Sequence, residues 1–524
     1  MVTFTRALVA AVACASHVLA GPTYTPHPDR QEAVKETFQR SWDGYYKYAF
    51  PNDTLKPISK SYSNDRNGWG ASAVDAISTA LVMGKKDVIN QIVDHIQNVD
   101  FSKTAPGAET VSLFETTIRY LGGMLSAYDF LSGPLKDYVN DTSCVDAILR
   151  QAVTLADLLS VAFNTSTGVP VNTLIYGPKG PGVSNDTTNG LATIGTLVLE
   201  WTRLSDIVGD DKYAKYSQTA EDYLINVRNP KIGEPYPGLL GTDVNIATGL
   251  FTDSSGGWNG GTDSYYEYLI KMYLYDSERF GTYKDRWVEA VDSSIKYLAS
   301  HPSTRTDLTF LAAYEGAGSD NLTFVSTHLA CFDGGSFILG GLTLNNDDYI
   351  NFGLGLVEAC HETYTATVTG IGPEIFYWQD SKLGSNATNN QGPPSAAAEF
   401  YARAGYWIPS GGGSYVLRPE VIEGFYYAYR ATGQAKYQDW AWDAFLNINA
   451  TCAAGVGYSS IDDVNVAGGG GFDDFQESFW FAEVLKYSYL IQADDAEWQV
   501  SAGHDNKWVF NTEAHPVKVK GTPL

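Results

Sequence analysis

A chain of 524 residues with 60 acidic and 35 basic side chains carries a formal charge of −25, which disfavours nucleic acid and anionic membrane as partners by simple repulsion. Length alone would allow three domains, but no Pro/Ser-rich linker or low-complexity run cuts the chain. One large domain over residues 21–524, with its core at about 30–516, is the simpler expectation.

In chain order, Arg6, the apolar run Ala7 to Ala13 and Val18-Leu19-Ala20 before Gly21 form the pattern of a cleavable signal peptide over residues 1–20. The run is too short to span a bilayer and no later window is long and apolar enough, so the mature form is expected to be secreted and free of membrane. Seven sequons, at Asn52, Asn140, Asn164, Asn185, Asn321, Asn386 and Asn449, fit an exported, glycosylated surface. Beyond Cys14 the cysteines are Cys144, Cys331, Cys360 and Cys452, and an oxidising compartment permits pairing.

Helical periodicity predicts helices over Arg30 to Phe50, Gly70 to Met83, Ser112 to Leu131, Asp263 to Tyr275, Arg418 to Thr432 and Phe475 to Leu490, while strand-like alternation is scarce. Several of these segments repeat one habit, an acid followed by aromatics at helical spacing, as in Asp263-Ser-Tyr-Tyr-Glu-Tyr and Glu423-Gly-Phe-Tyr-Tyr. Such repetition predicts helical hairpins whose closed ring buries the aromatic faces and lines a funnel with helix ends and loops. Glycine-rich loops, such as Gly260-Gly261 and Gly411 to Gly413, lead into the acidic helices and allow tight turns or a close approach to ligand.

The chain has no His-Glu-x-x-His, Gly-x-Ser-x-Gly, phosphate-cradling loop or Cys-x-x-Cys, so zinc, serine-hydrolase, nucleotide and redox chemistry lack their usual supports. Carboxylates and aromatics remain. Glycoside hydrolysis needs two carboxyl groups, one protonated and one ionised. Glu115 and Arg119 stand four apart on one helix face, where the guanidinium can tune the carboxylate. Asp263 opens a helix after two glycines and also suits an N-cap. Arg418-Pro419-Glu420 and Glu423 suit a first helical turn, where acids are favoured, and equally a sugar-binding rim. After the last predicted helix, Phe510-Asn511-Thr512-Glu513-Ala514-His515 mixes hydroxyl, carboxylate and imidazole where a loose tail is the default, and its oxygens suit a hard cation.

These segments together resemble glycoside hydrolase family 47, the class I α-mannosidases, from about Arg30 to Pro516. The carriers are Ser112-Leu-Phe-Glu115-Thr-Thr-Ile-Arg119, Asp263-Ser-Tyr-Tyr-Glu-Tyr-Leu, His328-Leu-Ala-Cys331-Phe, Gly372-Pro-Glu374, Leu417-Arg-Pro-Glu420, Glu477-Ser-Phe-Trp and Phe510-Asn-Thr-Glu-Ala-His515, with Asn67-Gly-Trp-Gly-Ala71 ahead of them. The resemblance implies an all-α (α/α)7 barrel of paired inner and outer helices and an inverting, calcium-dependent exo-α-1,2-mannosidase. Its substrate would be a high-mannose N-glycan or α-1,2-mannooligosaccharide, and the enzyme would act as a monomer. It makes Glu115 the general acid, acting through a water, Glu420 the general base and Asp263 a third catalytic carboxylate, with Glu374 sometimes given an acid or base role. Thr512 would bind Ca2+ through its carbonyl and hydroxyl oxygens, and Glu423, Glu477, Glu483 and Glu513 would hold waters of the metal shell. Arg119, His328 and Arg418 would contact sugar or orient carboxylates, and Phe479 would stack on the sugar ring. Cys331 and Cys360 match the family's shared disulfide, whose loop of about thirty residues is worth about 3 to 4 kcal/mol on the chain-entropy model; a Cys144–Cys452 pair stays open.

Two residues before Asp263, where endoplasmic-reticulum members of the family carry Arg, this chain has Gly261. That difference and the signal point to the broader trimming of secreted fungal-type members. The alternatives are a mannose-binding lectin or quality-control factor on the same barrel, and another helical-barrel glycosidase such as an endo-acting mannanase or a glucosidase.

Overall fold

The computed structural model describes residues 21–139, 141–384, 387–503 and 505–523, so the signal segment and the sequons at Asn140 and Asn386 lie outside the described residues. Seven inner helical stretches alternate with seven outer ones, and all fourteen are numbered here in chain order. The outer helices are α1 (Pro28–Tyr48), α3 (Lys86–Asn98), α5 (Ser143–Leu159), α7 (Lys212–Ile225), α9 (Gly281–Ser293), α11 (Asp347–Thr365) and α13 (Ala435–Thr451). The inner ones are α2 (Ala71–Met83), α4 (residues 113–131), α6 (residues 191–208), α8 (Asp263–Tyr275), α10 (Phe332–Leu344), α12 (Glu420–Thr432) and α14 (residues 480–490). Of these, α4 carries a π-helical turn at Thr117–Leu121, α6 is interrupted between Gly195 and Val198, and α14 opens π-helical at Trp480–Val484.

Side-chain pattern sorts the two rings. Every residue of α2 is buried, as expected of a helix apolar on all sides, whereas α3 buries only the stripe Val88, Ile89, Ile92, Val93 and Ile96. Each inner helix packs on its neighbours in the order α2, α4, α6, α8, α10, α12, α14, and α14 returns to α2, which closes the (α/α)7 barrel. Helix α1 completes the outer ring against α14. Where α9 presses on α10, Gly340 is required, since a Cβ there would lie 2.0 Å from Cη2 of Trp287. The small strands among the described residues form only two- and three-stranded pieces in the connections, and no described helix is long and apolar enough to cross a membrane.

The C-terminal segment is not a loose tail. Strands Trp508–Phe510 and Pro516–Lys518 pair as a hairpin whose turn enters the barrel, with Asn511, Glu513 and His515 all buried. Gly122 on α4 makes room for it, since a Cβ there would lie 2.5 Å from Asn511 Nδ2. The turn is tied down by Asn511 Nδ2, which donates to the Ile118 carbonyl (2.9 Å) and to Glu200 (2.8 Å), and by Lys486, which donates to the Ala514 carbonyl.

Cys331 and Cys360 form a disulfide, with Cα atoms 6.0 Å apart, that joins the entry to α10 with α11. Cys144 and Cys452 are separate buried thiols.

Candidate active site

Six inner helices begin around one cavity. Glu115 in the first turn of α4, Ala192 of α6, Asp263 of α8, Phe332 of α10, Glu420 and Glu423 of α12, and Phe479 and Glu483 at the start of α14 all line a space of about 390 Å3. Carboxylates at these positions face helix N-termini, whose unpaired N–H groups favour negative charge. The hairpin turn closes the floor with Thr512 and Glu513, and Arg66, Arg119, Arg418 and Glu477 complete the polar wall.

Two arginine clusters divide the carboxylates. Arg119 Nε donates to Glu115 (2.8 Å), and its Nη1 donates to Asp75 (3.3 Å), Ser478 Oγ (3.2 Å) and Glu513. Arg66 lies 3.7 Å from Glu115. Burial pushes the Glu115 carboxyl up, but Arg119 and Arg66 outweigh it and hold the group below the usual glutamate value. Across the cavity, Arg418 Nε donates to Glu374 (2.6 Å) and its Nη1 lies 3.8 Å from Glu420, while His328 Nδ1 is 2.9 Å from Glu420 Oε2. Burial raises the Glu420 carboxyl, and the His328 hydrogen bond with the Arg418 charge overcomes that to hold it low.

Asp263 has no such partner. Its Oδ1 accepts from the backbone N–H of Ser264 (2.8 Å), and burial, reinforced by the charges of Glu267 and Glu420, pushes its carboxyl up to about 7. The N-cap position belongs to Thr262, so Asp263 is the first helical residue rather than a cap.

Around Thr512 the balance is anionic. Burial lifts Glu423 to about 8 and Glu477 to about 7, and it raises Glu483 and Glu513 well above the ordinary range. Among the described residues, no other group engages the Thr512 hydroxyl or carbonyl oxygen, although its N–H donates to Tyr268 Oη (3.2 Å). A cluster of buried acids beside the free oxygens of Thr512 suits a hard cation. Among the described residues, no three His, Cys, Asp or Glu side chains are placed to chelate one directly. A calcium here would therefore take protein oxygens from Thr512 and complete its shell with waters, which these residues fit.

The cavity gathers Glu115, Arg119, Asp263, Arg418, Glu420, Glu423, Glu477, Phe479, Glu483, Thr512 and Glu513, while His328 and Glu374 stand behind the lining and touch it through Glu420 and Arg418. The Arg119 guanidinium lies 5.6 Å from the centre of the Phe479 ring. Sequence reasoning missed Arg66, Asp75 and Glu267. Glu267 lies in the cavity wall and takes a hydrogen bond from Lys271, and its place one turn after Asp263 was the available signal. Asp75, fully buried, holds Arg119 and sits 3.2 Å from His515 Nε2.

Of the five described sequons, Asn164, Asn185 and Asn321 are exposed. Asn52 and Asn449 are half-buried, and Asn52 Nδ2 is spent on the Ala49 carbonyl (2.8 Å).

Residues 37–519 match glycosyl hydrolase family 47. A relative from Aspergillus niger, named probable mannosyl-oligosaccharide α-1,2-mannosidase 1B, is 56% identical over 495 residues, covering 94% of this chain and 92% of that protein. The mannosyl-oligosaccharide α-1,2-mannosidase of Penicillium citrinum is 55% identical over 492 residues, 94% of this chain and 92% of its own. The solved α-1,2-mannosidase of Trichoderma reesei superposes with a TM-score of 0.91 at 50% identity, covering 95% of this chain and 100% of the other. A match that spans nearly the whole barrel, together with relatives this similar, shows that the chain belongs to glycosyl hydrolase family 47.

Proposed function

We propose that this protein is a secreted, calcium-dependent, inverting exo-α-1,2-mannosidase that removes terminal α-1,2-linked mannose from high-mannose N-glycans. The observation that carries the reading is the opposed state of two carboxyls in one cavity, Glu420 held low by His328 and Arg418 and Asp263 pushed up to about 7. The floor closed by the hairpin turn favours a chain end over a chain interior. The relatives named as mannosyl-oligosaccharide α-1,2-mannosidases support the linkage and the sugar.

In this mechanism Glu420 takes a proton from the attacking water as its oxygen bonds to the anomeric carbon, and the displaced glycosidic oxygen is protonated from the opposite carboxyl. The resemblance gives that donation to Glu115 through a water. We assign it to Asp263, because Glu115 is held ionised by Arg119 and Arg66. Glu115 then orients water and keeps Arg119 aligned with Glu513. Phe479 offers an apolar face to the sugar ring, and Arg418 joins Glu420 to Glu374. Thr512 would hold the calcium, with Glu423, Glu477, Glu483 and Glu513 ordering its waters. When bound, the ion would fix the 2- and 3-hydroxyls of the terminal mannose.

Gly261, at φ +95°, stands in the cavity wall with only Thr242 Cγ2 within 4 Å of a built Cβ, at 3.6 Å. An open wall there supports trimming of several branches. Incubating the enzyme with Man9GlcNAc2 and following the products by chromatography is expected to show loss of every α-1,2-linked mannose and of no other; arrest after a single mannose would contradict the broad reading. Export is supported by the N-terminal pattern and by the exposed Asn164, Asn185 and Asn321.

A further inference from the structure

Behind Glu420 lies a buried hydrogen-bonded chain, of which the mechanism above uses His328 alone. The His328 side chain is fully buried, with Nδ1 2.9 Å from Glu420 Oε2 and Nε2 2.7 Å from Tyr364 Oη. An ionised carboxylate can only accept, so Nδ1 carries the ring proton. With the proton on Nδ1 alone, Nε2 is bare and accepts from the Tyr364 hydroxyl. Tyr364, itself buried, meets the Tyr415 hydroxyl, which donates to the Arg418 carbonyl (3.0 Å). The two tyrosines thus brace both ends of Arg418-Pro419-Glu420.

The backbone fixes this arrangement from two sides. His328 precedes Cys331 by one turn, with the Cys331 N–H donating to the His328 carbonyl (3.0 Å), and Tyr364 follows Cys360 by one turn of α11. The Cys331–Cys360 disulfide therefore sets the helix that carries the hydroxyl against the segment that carries the imidazole.

We propose that Tyr364 is a positioning residue that anchors Nε2 of His328 and holds the ring with its Nδ1–H against Glu420, thereby keeping Glu420 ionised and aimed; this rests on Glu420 being the general base. The other groups facing Glu420 are Arg418 on its own loop, Glu374, Asp263 from α8, Glu423 one turn along α12, Glu483 from α14 and Tyr415. All of these side chains remain in Tyr364→Phe, and Tyr415 loses only its contact with the Tyr364 hydroxyl, so a shift in that variant reports the hydrogen-bonded chain as a whole.

The test is the pH dependence of kcat/KM for Man-α-1,2-Man in wild type, Tyr364→Phe and Tyr406→Phe. Tyr406 supplies the control, since its buried hydroxyl donates to the Thr363 carbonyl (2.9 Å) outside the chain. Without its partner at Nε2 the imidazole is free to tilt, its Nδ1–H bond to Glu420 weakens, and the proton affinity of Glu420 rises. The ascending limb in Tyr364→Phe is expected to move up by about one pH unit, with kcat reduced and KM nearly unchanged, while Tyr406→Phe keeps the wild-type profile. An ascending limb that stays in place in Tyr364→Phe, or moves equally in both variants, overturns the proposal. Nitrogen-15 NMR of His328 in the wild-type protein provides a second reading that needs no variant, because an Nε2–H tautomer overturns the proposal and an Nδ1–H tautomer supports it. A wild type that releases no mannose defeats the preceding functional reading instead.

Discussion

Glu420→Gln is expected to lower kcat by at least about a hundredfold, the usual worth of a general base, while KM stays within a small factor. The amide keeps the shape of the carboxyl, and its oxygen can still accept from His328 Nδ1, so the barrel is expected to unfold at a temperature close to that of the wild type. What is lost is the capacity to take a proton from water. The ascending limb of kcat/KM against pH should disappear with it, because that limb reports ionisation of a carboxyl held below the usual glutamate value. Steady-state kinetics beside a thermal melt check this, and near-normal turnover in a folded Glu420→Gln would remove the residue from the mechanism.

Asp263→Asn is expected to cost a comparable factor, at least about a hundredfold on α-1,2-mannobiose, and to abolish the descending limb, which in the wild type should fall near the value of about 7 to which burial lifts this carboxyl. The sign follows from the role. A proton donor is active below its folded pKa and is lost as pH rises through it. α-Mannosyl fluoride, whose leaving group departs without a proton, should recover most of the rate in Asp263→Asn. Glu115→Gln should show no such recovery, because its loss frees Arg119 from the pair that aligns it with Asp75 and Glu513. If mannosyl fluoride rescues Glu115→Gln and not Asp263→Asn, the donor is Glu115.

The parts of this site that were legible in the sequence are those with a local signature. Asp263 to Tyr275 has the predicted bounds because a glycine-led turn and a 3.6-residue aromatic pattern both act within a few residues. The helix predicted from Arg418 begins at Glu420, since Leu417 adopts φ +62° and Pro419 then leads the chain into the first turn. The one predicted from Phe475 begins only at Trp480, because Gln476 bridges to Leu55 and Glu477 to Phe479 cross into the cavity wall. Long-range partners had no local signal. Arg66 reaches Glu115 where the segment ahead of α2 meets α4, Asp75 reaches His515 only through the C-terminal hairpin, and Tyr364 reads as an ordinary apolar-face tyrosine of an outer helix. The hairpin around Thr512 illustrates the same limit, since a short polar segment at a chain end looks loose until a cavity exists to receive it.

The most direct test of the account is hydrolysis of Man-α-1,2-Man, with and without EDTA, followed from the first minutes by proton NMR. Mannose is expected to appear first as the β-anomer, to stop appearing on chelation and to return on adding Ca2+; α-mannose as the first product, release indifferent to EDTA, or binding without release would overturn the assignment.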